Sequence, residues 1–192
     1  MNKTRLKTPR RSVYPSPAGL IVSIDENKKP NVMAAAEVFN VSLKNPSIVG
    51  IALRKATYTH SLIVKSRQFT VNIPTAAILD KVDKVGTTSG RNGLDKFAEF
   101  GLTAMKSSEI DAPIIAECPM NLECKLLSVT EVGDHDLFLG EVVAMHADSD
   151  KLDENENVQV EKVDGVLVAE WGYYRFGEKL EHFNFTKKKA QN

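Results

Sequence analysis

Residues 54–61, Arg-Lys-Ala-Thr-Tyr-Thr-His-Ser, crowd cations and hydroxyls directly after a short apolar run, residues 48–53. Arg54 can grip a phosphate through two parallel N–H bonds, and Thr57, Tyr58, Thr59 and Ser61 add neutral donors. A helix beginning here would aim its unpaired N–H groups at the same anion. An N-cap threonine on a surface helix beside a solvated arginine suits these residues too. A second stretch, residues 85–97, sets Gly86, Gly90 and Gly93 among Thr87, Thr88 and Ser89. Backbone amides in such a loop can cradle an anion. Neither Gly-x-Gly-x-x-Gly nor Gly-Lys-Ser/Thr spacing is present, so an ordinary inter-helix turn also fits. In the third, residues 133–142, His135 lies between Asp134 and Asp136. It could shuttle a proton or bind a ligand, or be an exposed turn histidine.

Other chemistries find no support. There is no Gly-x-Ser-x-Gly elbow, and Cys118 and Cys124 lack basic neighbours on both sides. These two cysteines and four scattered histidines make neither a disulfide framework nor a closed metal set, so no metal is expected.

The elements that must position these groups can be read from periodicity. Residues 18–24 and 48–53 are compact apolar runs expected as buried strands. Residues 32–42 are ambiguous, since the alanines favour helix while Val and Phe favour strand. Residues 59–66 suggest a short helix with Leu62 and Ile63 inward. Residues 68–74 alternate, with Phe69, Val71 and Ile73 on one face. Ala77, Ile78, Val82 and Val85 form a helical stripe with Gly86 as a natural stop. Residues 94–100 predict a further helix closed by Gly101. Met120, Leu122, Cys124 and Leu126 share one strand face, residues 131–143 suggest a hairpin, and residues 166–176 predict a last single strand. Many strands, few helices and no βαβ alternation predict a mainly β fold, an antiparallel barrel with inserted short helices.

The chain has 192 residues, enough for one domain with its own core. Lys plus Arg equals Asp plus Glu at 25 each, so bulk charge does not favour nucleic acid. No apolar run approaches the ~20 residues that cross a bilayer, and residues 1–12 are basic without a signal-peptide core. A cytoplasmic location without membrane contact is expected. Residues 1–12 read as a basic arm, 13–180 as the domain and 181–192 as a tail.

Taken in order, residues 14–53, 58–74, 87–97 and 133–148, with Tyr-Tyr-Arg-Phe-Gly at 173–177, resemble the flavin reductase-like family, close to the flavoredoxins. The resemblance covers about residues 13–177. It implies an FMN-binding split β-barrel of Greek-key type and a homodimer. It also implies that FMN takes hydride at N5 from NADH or NADPH, with the cofactor carrying the chemistry. The alternative it allows is a flavoredoxin-like FMN electron carrier without direct NAD(P)H activity, serving a redox protein partner. Carried over by position, Asn31, Met33, Ala34, Ala35, Ala36 and Glu37 would lie along the flavin ring. Ala52, Leu53, Arg54, Tyr58 and Thr59 would hold the ribityl chain and phosphate, and Ser89, Gly90 and Arg91 would add contacts. His135 would sit near the nicotinamide, no residue is a firm catalytic group, and Asn72 is expected to tie a strand end. Many reductases of the family carry Ser or Thr where this chain has Ala34–Ala36. A barrel that has exchanged flavin for another ligand, such as haem, or serves only as a scaffold, is a further reading of the same residues.

Overall fold

The computed structural model describes residues 2–5, 7 and 13–187. Most of the basic arm and the last residues of the tail lie outside them. In chain order come strands β1 (Ser16–Pro17), β2 (Gly19–Ile24), β3 (Pro30–Ala35), β4 (Val38–Ser42) and β5 (Ile48–Arg54). Helix α1 (Tyr58–Ser66), strand β6 (Gln68–Ile73), and helices α2 (Leu79–Thr87) and α3 (Lys96–Phe100) follow. The second half holds β7 (Ala104–Met105), β8 (Ile114–Ile115), the long β9 (Met120–Val132) and β10 (His135–Ala147), α4 (Val160–Val163), β11 (Val166–Ala169) and β12 (Gly172–Arg175).

Seven strands form one antiparallel sheet in the order β3-β2-β6-β9-β10-β5-β4. Its two edge strands, β3 and β4, are consecutive in the chain and separated only by Ala36 and Glu37. The sheet must therefore roll until its edges meet, and Ala52 N–H donates to Glu37 O at that seam. This is the mainly β split barrel that the sequence predicted. A smaller sheet, β1-β11-β12, is tied to it where Val166 N–H donates to Pro74 O.

β2 is buried at every position, which explains its unbroken apolar run. Ile21 faces the barrel interior with Phe69, Val71 and Phe138. Leu20 and Val22 face outward under α2 and α3, with Val82, Val85 and Phe97. The interior is tight enough that a Cβ at position 140 would come 2.6 Å from the Phe69 ring, so β10 crosses it at Gly140. Asn72 works as expected: Nδ2 donates to Leu20 O, and Oδ1 accepts from Ile115 N–H and Asn121 Nδ2.

One ambiguity is resolved and two expectations are corrected. Residues 32–42 are strand throughout apart from the seam, because pairing of Ala34 and Ala35 with β2 overrides alanine's helical preference. Residues 166–176 are not one strand but the β11–β12 hairpin, turned at Glu170, whose φ is 49°. The helix at 76–87 starts as a 3-10 turn, which leaves Ala77 exposed, and runs through Gly86 to Thr87. Gly86 is there for close approach, since a Cβ would lie 3.3 Å from Ala34 Cβ.

Candidate functional site

β5 ends at Arg54, and α1 starts four residues later under an N-cap. Thr57 Oγ1 accepts from His60 N–H at 3.4 Å and donates to Arg54 O at 2.9 Å. The Tyr58 and Thr59 N–H groups that open α1 have no intrahelical acceptor, so they are available to an anion beside Arg54. The loop after α2 closes over this end. Arg91 donates to Ala56 O at 3.0 Å, and its guanidinium lies 5.8 Å from the Tyr58 ring centre. Arg91 thus clasps the two segments together.

A cleft of about 340 Å³ lies between them, with Asn31, Met33, Arg54, Tyr58, Thr59, Ser89 and Gly90 in its wall. Asn31 Nδ2 donates to Thr59 Oγ1 at 2.9 Å. Asn31 is 7% exposed, and its Oδ1 is buried with no donor among the described residues. A Cβ on residue 90 would collide with that oxygen, so only glycine lets the loop pass.

A second cleft of about 430 Å³ is floored by Ala34, Ala35 and Ala36. The β11–β12 hairpin supplies Trp171 and Tyr173 as its wall. The clefts meet at Gly86 and Thr87, which line both. β3 runs beneath the pair, carrying Asn31 at one end and Ala35 at the other, a span of about 13 Å at ~3.3 Å per residue.

Other expected site residues sit elsewhere. Leu53 is 1% exposed and packs in the barrel core, so its side chain lines neither cleft. Ala52 and Glu37 are at the barrel seam. His135 is the cross-strand partner of Arg54 and shares its face, with Nδ1 2.9 Å from the Asp134 carboxylate. It does not line either cleft.

One residue escaped the sequence reading. Lys96, 3% exposed, lines the first cleft and donates to Val32 O at 2.9 Å and Val85 O at 3.0 Å. Burial pulls its ammonium down to about 8. Two of its three donors are occupied. The available signal was a cation in the first position of α3, where the helix dipole disfavours it.

The two clefts thus grade from cationic donors, through the orphaned Asn31 oxygen and the Lys96 amine, to a small-residue floor. Such a sequence fits a phosphate, a polyol and a planar ring in that order. A polyol hydroxyl can donate to Asn31 Oδ1 and also accept from Lys96. The chain matches the flavin reductase like domain over residues 10–172. It belongs to the flavin reductase-like family. Flavoredoxin of Desulfovibrio vulgaris (Miyazaki F) is 35% identical with a TM-score of 0.89, covering 96% of this chain and 100% of that one. An uncharacterized protein of Archaeoglobus fulgidus is 41% identical over 72% of this chain and 77% of its own. The NADH-dependent FAD reductase of Streptomyces globisporus is 30% identical over 70% of this chain and 72% of its own. Among the described residues no group of His, Cys, Asp and Glu could hold a metal, and no helix is long and apolar enough to cross a membrane.

Proposed function

We propose that this protein binds FMN across the two clefts and works as an NAD(P)H-dependent flavin reductase-type oxidoreductase. The observation that carries the proposal is their continuity at Gly86–Thr87, which joins a cationic end to a floor of small residues. Arg54 and the first N–H groups of α1 hold the phosphate, with Tyr58, Thr59, Ser89 and Gly90 shaping its seat. Asn31 and Lys96 orient the ribityl chain, and Ala34, Ala35 and Ala36 let the ring approach the β3 backbone. When bound, FMN supplies a ring that takes hydride from NADH or NADPH and passes electrons onward. His135, the cross-strand partner of Arg54, stands at the phosphate end of this layout, so its place on the nicotinamide side draws on the family resemblance alone.

The flavoredoxin-like reading, an electron carrier serving a redox protein partner, draws on a different observation. Ala34–Ala36 offer no hydroxyl to the ring, and the similarity to a flavoredoxin spans the whole of that chain. A visible spectrum of the purified protein separates the readings. A flavin band that appears with FMN and bleaches with NADH or NADPH supports the reductase. One that bleaches only with dithionite supports the carrier, and no band after FMN addition defeats both.

We also propose a homodimer. Edge strand β4 and the residue after it expose Phe39, Val41 and Leu43 at 45, 48 and 79%. Such an apolar face on a monomer invites a second copy. A sedimentation mass of one chain, unchanged by Phe39→Asp, would refute it.

A further inference from the structure

We propose that Trp171, at the tip of the β11–β12 hairpin, is the aromatic wall that stacks on the ligand's planar ring over the Ala34–Ala36 floor. The inference rests on the flavin reading and adds to it a positioning residue. Trp171 is 96% exposed, although it is the largest apolar side chain in the protein and its only tryptophan. The core makes no use of it. Its position is nevertheless built: Ala169 pairs with Gly172, so Glu170 and Trp171 form a two-residue tip. Glu170 holds a left-handed φ of 49°, which non-glycine residues seldom adopt.

The hairpin is tethered beside the cleft, because Tyr173 Oη donates to Asp83 Oδ1 on α2 at 3.1 Å. Trp171 and Tyr173 then stand as two rings on one wall. Across from them, Ala34, Ala35, Ala36 and Gly86 carry nothing beyond a methyl, leaving depth for a flat molecule. Aromatic wall and shallow floor together favour a planar heteroaromatic ring over a branched or aliphatic ligand, since stacked rings gain beyond the area they bury. The carboxylates of Asp83 and Glu170 line the same cleft. They disfavour an anion there, which keeps the phosphate at the Arg54 end.

As the sole tryptophan, Trp171 gives a single indole N–H signal in a nitrogen–proton NMR spectrum. Titration with FMN should move that signal with the same midpoint as the change in flavin absorbance, while inorganic phosphate leaves it in place. Trp171→Ala should weaken FMN about tenfold, the usual size of a lost stacking contact. Trp171→Phe should recover most of the affinity, and neither variant should shift the thermal midpoint, because the side chain is exposed. If FMN absorbance changes but the indole signal stays put, or Trp171→Ala binds FMN as the parent does, the stacking role is wrong and the flavin site stands. If FMN absorbance does not change at all, the flavin reading fails and this inference falls with it. An indole already shielded from acrylamide in the ligand-free protein would assign Trp171 to a contact between copies and overturn the proposal.

Discussion

Asn31 on β3 donates Nδ2–H to Thr59 Oγ1 on α1 across 2.9 Å, and this bond turns its unpaired Oδ1 toward Gly90. Gly90→Ala pushes a methyl onto that oxygen. FMN binding is expected to weaken by ~1–3 kcal/mol, the usual cost of overpacking a filled site. Flavin fluorescence titration reads the change, and an unaltered affinity would detach Asn31 from the ligand.

Arg54 separates FMN from riboflavin, which lacks the phosphate. Arg54→Ala should cost FMN ~1.5–3 kcal/mol, the range for a hydrogen bond to a charged group. Riboflavin affinity should stay the same. Calorimetric titration of both ligands tests this, and an equal loss for both would move the phosphate away from β5.

Lys96 makes the ligand-free protein's stability depend on pH. Burial lowers its pKa to about 8 from 10.5, so the unfolded chain binds the proton more tightly than the folded one. Stability therefore rises between about pH 8 and about pH 10.5, by on the order of 1–3 kcal/mol. Lys96→Met should flatten that rise in urea unfolding and weaken FMN. A parent protein with no rise would contradict the burial of the amine.

Glu123 sets the acid limit. Its carboxylate is fully buried, and burial alone would raise its pKa. Hydrogen bonds from Ser108 N–H, Ser108 Oγ, Glu109 N–H, Ile110 N–H and His146 Nε2 outweigh this and hold it at about 2. The stability it confers is complete above the unfolded value of 4.5 and is lost as pH falls from there toward about 2. Glu123→Gln should destabilise the fold at neutral pH by ~1–3 kcal/mol and flatten the acid branch. Unfolding curves in urea from neutral pH to about pH 3 would show both effects.

What the sequence determined by itself is local. The alternation of Phe69, Val71 and Ile73, the fully buried run of β2 and the Thr57 cap of α1 are each set within a few residues, so period and capping chemistry reveal them. The crowding of cations and hydroxyls at 54–61, which we propose as an anion seat, is legible for the same reason. Tertiary structure decided the rest. Residues 31, 59, 90 and 96 meet only because β3 lies against α1, α2 and α3, and no local pattern records a contact over such separations. Pairing decided residues 32–42, where edge-strand hydrogen bonds overrode helix-favouring alanines. It also decided residues 166–176, where the left-handed Glu170 folds one β-rich run back on itself. Leu53 and Arg54 make the same point with adjacent residues. The two-residue period of β5 sends one into the barrel core and leaves the other at the cleft, and only the register of the closed barrel says which.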